Sequence, residues 1–405
     1  MDDRKEGVSA SGNFLTYAQT ALDTWNERPF CAVDSLVLSW LAYYRLSADC
    51  PSVNTWEGVD VRDLLRLECR ESMTGELWDP QGSWDLLVAV CANPRYRGMR
   101  VCGYRAVFDA AAEEQFAAMT FCLPNGSIYI AFRGTDSTLV GWKEDFNLAF
   151  ATPVPAQLEA VRYLKQVADV LACPLRVGGH SKGGNLAVYA AAFVGEDVQE
   201  RILNVFNNDG PGHDLATLES AGYRRIEKKL QTFIPKSSII GMLLEHGDDY
   251  RIVDSDAHGL WQHNPYSWQL NGEDFVYLQH TTASSDRMNE SIRQWLNHMD
   301  VEKRRRFTDT VYEVLSASEV RSVGQLISDF RSSLPSIIAA TKNLDPEEKH
   351  MLAELATQFV RVASVQYGQL AREQLGTARA YMSALREKKV DVSAWLEKLR
   401  EDKGE

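Results

Sequence analysis

Residues 175–190 read LRVGGHSKGGNLAVYA. Within them Gly179-His180-Ser181-Lys182-Gly183 fits G-x-S-x-G, a pattern of five loosely constrained positions that turns up by chance. Its context therefore decides the reading: a strand must precede it and a helix must follow. Pro174–Val177 is a short apolar strand, and Gly183–Val194 reads as a helix of small residues. A sharp strand-to-helix turn strains the serine backbone and lifts its hydroxyl clear of a sheet, at a helix N-terminus. There the backbone N–H of Lys182 can stabilise an oxyanion. Gly183, Gly184, Ala187 and Ala190 let the helix pack tightly. The competing reading is an ordinary βα turn with an unreactive Ser181.

Outward from this turn, strand and helix signals alternate. Upstream, Arg100–Phe108, Gln115–Leu123 and Ser127–Phe132 are β-rich, and Pro124-Asn125-Gly126 joins the last two as a hairpin. Pro155–Ala172 has helical periodicity. Downstream, Ile202–Asn207 is a strand, residues 214–230 are largely helical and Thr232–Ile234 is a strand. That order predicts a mainly parallel α/β sheet flanked by helices. Residues 13–48 and 82–92 read as further helices, with Asp34 placed to cap the stretch from Val33, and residues 250–278 return to β signals. From about residue 284 the chain holds only four Gly and two Pro and is helical in period almost throughout. The predicted organisation is an α/β domain over residues 1–283 and an all-helical extension over 284–405. The extension would act as a cap or as a module through which copies pair.

Residues 128–147 read IYIAFRGTDSTLVGWKEDFN. A strand ending in Phe132-Arg133-Gly134-Thr135, then Trp142 and Asp145, resembles the oxyanion loop of class 3 lipases. VDSLVLSWLAYY, FRGTD, the GHSKGG turn, NNDGPG and QHNPYSW together resemble the Mbeg1-like family of lipase-like α/β hydrolases over roughly residues 10–285. The resemblance implies an α/β-hydrolase fold and ester substrates. It places Thr135 where backbone N–H and hydroxyl contribute to an oxyanion hole, and it places a shared His in the QHNPYSW segment. Asp145 would brace the loop.

A serine nucleophile needs a His as general base and a carboxylate to fix its tautomer. In this fold the chain order is Ser, acid, His. Seven of eight histidines follow Ser181, so order alone does not choose. His263 leads because it sits in a loop between β signals, stiffened by Pro265 and aromatics; His258 is its rival. His213, His246 and His280 have less suitable settings, His298 and His350 fall in the helical tail, and His180 is expected to pack rather than act as base. Asp209 leads for the acid, on the glycine-rich turn that ends strand Ile202–Asn207, with Asp249, Asp254 and Asp256 as alternatives. Class 3 lipases carry the acid after the next strand, but Phe233–Gly241 here contains no carboxylate. The acid has therefore moved one strand earlier, or Asp209 is only a turn former.

Composition narrows the remaining classes. The chain has 405 residues, 45% hydrophobic, which suffices for a large core, and a net charge of −13. Residues 301–405 hold 17 Lys+Arg and 16 Asp+Glu, leaving 26 against 40 in residues 1–300. An acidic front section disfavours nucleic acid and anionic substrates. The opening MDDRKEGVSASGNFL lacks a signal-peptide pattern, and no run reaches transmembrane length. Seven Cys without a CxxC pair predict free thiols in a reducing cytoplasm and no metal centre. No cofactor is implied. The expected function is a serine acyl hydrolase of the carboxylesterase or lipase type. The alternatives are a thioesterase or amidase on the same residues, and a non-catalytic helical interaction protein.

Overall fold

A computed structural model describes residues 12–46, 53–109, 114–135, 148 and 152–282, apart from 239, 243, 248 and 258. All of these except Leu148 lie in one compact unit, residues 1–136 and 151–298. The expected helical extension falls outside the described residues, as do Trp142, Asp145, His258, His298 and His350.

The frame is a nine-stranded sheet. Its strands are β1 (Val59–Asp60), β2 (Arg100–Asp109), β3 (Glu114–Cys122), β4 (Ile128–Phe132), β5 (Leu175–His180), β6 (Ile202–Asn208), β7 (Leu230–Pro235), β8 (Tyr250–Val253) and β11 (Tyr277–Leu278), in the order β1-β2-β3-β4-β5-β6-β7-β8-β11. The first four pair antiparallel, β4 through β8 run parallel, and β11 closes the edge antiparallel to β8. A small separate ribbon joins β9 (Leu270–Asn271) to β10 (Asp274–Phe275). The predicted hairpin forms between β3 and β4, with Gly126 at φ 80°, where the turn needs a residue free of a Cβ.

Strand β4 shows why two layers of helix are needed. Ile128, Ile130 and Phe132 alternate with Tyr129 and Ala131, and all five are buried, so both faces must be covered. On one face the helices α5 (Pro155–Val170) and α6 (Lys182–Phe193) cover Ile128, Ile130 and Phe132. On the other, α1 (Phe14–Thr20), α2 (Ala32–Leu41) and α4 (Pro80–Ala92) cover Tyr129 and Ala131, with the short α3 (Arg70–Thr74) leading into α4. This is the α/β-hydrolase fold, as predicted.

The stretch 214–230, read as largely helical, is divided into Leu215–Glu219, Ala221–Ile226 and a 3₁₀ turn, Glu227–Lys229. Asp214 accepts from Thr217 N–H and Ser220 from Tyr223 N–H, so two capping side chains start two helices. Asp34 lies at the third position of α2 rather than at its cap, where its carboxylate accepts from Cys31 N–H. It also receives both arms of Arg95, at 2.8 and 2.6 Å, and the hydroxyls of Tyr17 and Tyr96. Both members of this ion pair are wholly buried.

Candidate active site

The turn between β5 and α6 has the strain the motif requires. Ser181 sits at φ 59°, ψ −137°, a region a non-glycine residue enters only when its surroundings hold it there. Its N–H donates to Asn208 O at 2.9 Å and its carbonyl accepts from Gly184 N–H at 2.8 Å. Gly183 permits the close crossing, since a Cβ there would stand 2.1 Å from Phe132 O. Ser181 is 8% exposed.

The FRGT loop ends β4 beside this serine. A Cβ on Gly134 would lie 2.9 Å from Ser181 Cβ and 2.6 Å from His180 O, so this backbone is in contact with the turn. Thr135 follows, half-buried. Lys182 opens α6, and its ammonium leaves the site: the buried side chain donates to Gln115 O in β3 at 2.9 Å. Only its backbone N–H remains near the nucleophile.

Asp209 and His263 come together. Asp209, wholly buried at φ 53°, places Oδ2 2.6 Å from His263 Nδ1. Its other oxygen accepts from Ser238 Oγ at 2.6 Å, and its N–H donates to Phe233 O, extending the β6–β7 ladder. The alternatives lie elsewhere: Asp254 pairs with Lys236 at 2.6 Å, and Asp249 and Asp256 are exposed. His263 ends a 3₁₀ turn, Gly259–His263, and its loop is braced from several sides. Gln262 accepts from Ser237 N–H, and Trp268 Nε1 donates to Gln262 O. Of the remaining histidines, His280 is exposed, while His213 and His246 are sequestered and held neutral by burial, His213 down to about 3. No hydrogen bond joins Ser181 to His263 here; such contacts are often long before substrate binds.

His180 carries more than packing. Its Nε2 lies 2.8 Å from the carbonyl of His263, and the two rings meet tilted at 34° with centroids 4.6 Å apart. A carbonyl only accepts, so Nε2 carries the hydrogen. Burial, with the neighbouring His263 adding to it, pushes the His180 pKa well below 6.5 and keeps the ring neutral. Nδ1 is therefore bare and faces the Tyr43 hydroxyl at 3.0 Å, which also lies 3.1 Å from His180 O. The chain Tyr43–His180–His263 fixes the backbone of the candidate base. Sequence reading missed Tyr43, although it lies in the quoted VDSLVLSWLAYY. It also missed Ser35 and Ser39, which with Tyr129 and Asn208 form a buried polar cluster pinning α2 beneath the turn.

Trp78, another residue no motif marked, stands edge-on to His263 at 6.0 Å and to Trp261 at 6.3 Å. Among the described residues no cluster of His, Cys, Asp and Glu could hold a metal ion, and no helix is long and apolar enough to cross a membrane.

M37 lipase aligns at 15% identity over 52% of this chain and 69% of its own length, with a TM-score of 0.34. The Rhizomucor miehei lipase propeptide complex aligns at 15% identity over 71% of this chain and 85% of its own, also at 0.34. No curated protein matches. The Mbeg1-like family model matches residues 90–313, more than half of the sequence and the part that carries the loop, the strained serine, Asp209 and His263; the chain belongs to the Mbeg1-like family.

Proposed function

We propose that the protein is a serine acyl hydrolase acting on carboxylic esters, with Ser181 as nucleophile, His263 as general base and Asp209 as the acid that orients it. The observation that carries this reading is the 2.6 Å contact between buried Asp209 and His263 Nδ1, beside a serine in a strained turn. A carboxylate can only accept, so Nδ1 carries the hydrogen and Nε2 is left to take the proton of Ser181. Ser181 Oγ then bonds to the substrate carbonyl carbon, and the carbonyl oxygen becomes an oxyanion near Lys182 N–H and Thr135. Collapse breaks the ester C–O bond, and the alcohol leaves with the proton from His263. Water, deprotonated by the same nitrogen, releases the acid and restores Ser181.

Six described cysteines are free thiols, which supports a reducing compartment such as the cytoplasm. The test is a fluorophosphonate probe and p-nitrophenyl ester turnover. Wild type is expected to be labelled at Ser181 and to hydrolyse the ester, and Ser181→Ala to do neither. Unchanged turnover by Ser181→Ala would remove the reading.

A further inference from the structure

An indole that is 48% exposed stands edge-on to the candidate base, with ring centroids 6.0 Å apart. The His263 ring is already held on two sides, by Asp209 at Nδ1 and by the tilted His180 ring at 4.6 Å. Trp78 adds no hydrogen bond to that arrangement; it meets the ring edge-on, half in solvent. Its position is nevertheless fixed. Leu77 N–H donates to Thr74 O at the end of α3, and Asp79 caps α4 through Gly82 N–H at 2.7 Å, so the indole hangs between two anchored helix ends. The half-buried Trp261, two residues before His263, meets its edge.

The chemistry of acyl transfer says which part of a substrate comes here. The alcohol oxygen must receive its proton from His263 Nε2, so it comes within hydrogen-bond distance of the imidazole, and its first carbons extend past whatever flanks that ring. Among the described residues, the exposed side chain beside that ring is Trp78. We propose that Trp78, backed by Trp261, is the platform for the leaving group, and that the substrates are esters of bulky apolar or aromatic alcohols. This rests on the serine-hydrolase reading above.

The experiment compares two esters of one acid, methyl butyrate and 1-naphthyl butyrate, on wild type, Trp78→Ala and Trp78→Phe. Because the acyl group is shared, kcat/KM differs only through the leaving group. Trp78→Ala should lose about tenfold or more in kcat/KM on the naphthyl ester and less than about threefold on the methyl ester, as expected for apolar contact removed from one substrate only. Trp78→Phe should restore most of the loss. If both esters fall by one factor, Trp78 supports His263 itself and the proposal is overturned; so it is if neither falls. A wild type inert to both esters, with Ser181 unlabelled by fluorophosphonate, would overturn the hydrolase reading and this platform with it. An active wild type whose ester ratio ignores Trp78 overturns the platform alone.

Discussion

Replacing His180 with alanine separates a positioning role from a packing one. The substitution removes the Nε2–H donor to His263 O, a 2.8 Å bond, and the tilted ring 4.6 Å from the imidazole. This carbonyl is part-buried, and left without a donor it costs up to about 3 kcal/mol. The lost ring contact adds about 0.5–1.5 kcal/mol. Together these give up to about 4 kcal/mol. In a domain of this size each kcal/mol lowers Tm by about 2–4 °C, so a fall of up to about 10 °C is expected. The kinetic effect is separate. The His263 backbone loses its tie to the serine-bearing turn, and a displacement of about 1 Å costs on the order of 10²-fold in rate. The loss should fall on kcat with KM nearly constant, since His180 is buried away from substrate. His180→Gln keeps an amide donor of similar reach and should recover at least about tenfold of the lost kcat. The assay is kcat and KM on p-nitrophenyl butyrate beside thermal unfolding of each variant. A folded His180→Ala protein with kcat within about threefold of wild type would refute the positioning argument.

Three further outcomes follow from the same contacts. Asp209→Asn should lower kcat by about 10²–10⁴-fold, the larger figure applying where the amide donates to Nδ1 and puts His263 in the wrong tautomer; steady-state kinetics at fixed pH reads it, and near-wild-type turnover would contradict Asp209 as the acid. Asp34→Ala strips the buried Arg95 of its carboxylate and should destabilise by about 3–5 kcal/mol, read from urea midpoints, whereas a loss under about 1 kcal/mol would show the pair to be dispensable. Stability should fall with acid below pH 6.5. The unfolded chain binds protons at His180 and His213 near 6.5, while burial holds the folded groups lower, His213 to about 3. Between pH 5.5 and 4.5 His213 alone contributes about 1.4 kcal/mol per pH unit, with His180 acting in the same direction, and flat urea midpoints across that range would contradict it.

The elements readable in the sequence were those with a local signature. The strand-turn-helix around Ser181, the Pro124-Asn125-Gly126 hairpin and the alternation from β4 to β7 each follow from short-range periodicity and turn chemistry. Asp209 was legible because it ends a strand on a glycine-rich turn, and His263 because its loop is stiffened by Pro265 and aromatics. The role of His180 was not legible. Its sequence neighbour is Ser181, but its partners Tyr43 and His263 lie 137 and 83 residues away. Trp78 was invisible for the same reason: only the packing of α3 and α4 brings it to His263. The position of Asp34 shows a further limit, because capping and ion pairing both favour an acid near the start of α2, and only the folded core shows Arg95 waiting for it.

If Asp209 is the acid, as proposed, the segment after β7 explains how it can stand one strand early. In class 3 lipases the acid follows that strand, and here the corresponding stretch lacks a carboxylate. It carries Ser238 instead, whose hydroxyl donates to Asp209 Oδ1 at 2.6 Å while accepting from Gly241 N–H at 2.8 Å. Gly241 completes the accommodation, since a Cβ there would lie 2.1 Å from the same Asp209 oxygen. One oxygen of the acid is thus held by the vacated segment and the other is presented to His263. The positive φ of Asp209 turns its side chain out of the β6 ladder while its N–H still pairs with Phe233 O. Moving the carboxylate without a donor after β7 would leave a wholly buried charge half-solvated by the protein, at a cost of several kcal/mol. Ser238 and Gly241 therefore form the setting that the Asp209 carboxylate needs. Ser238→Ala should accordingly weaken the site through the acid, lowering kcat while leaving Ser181 and His263 untouched.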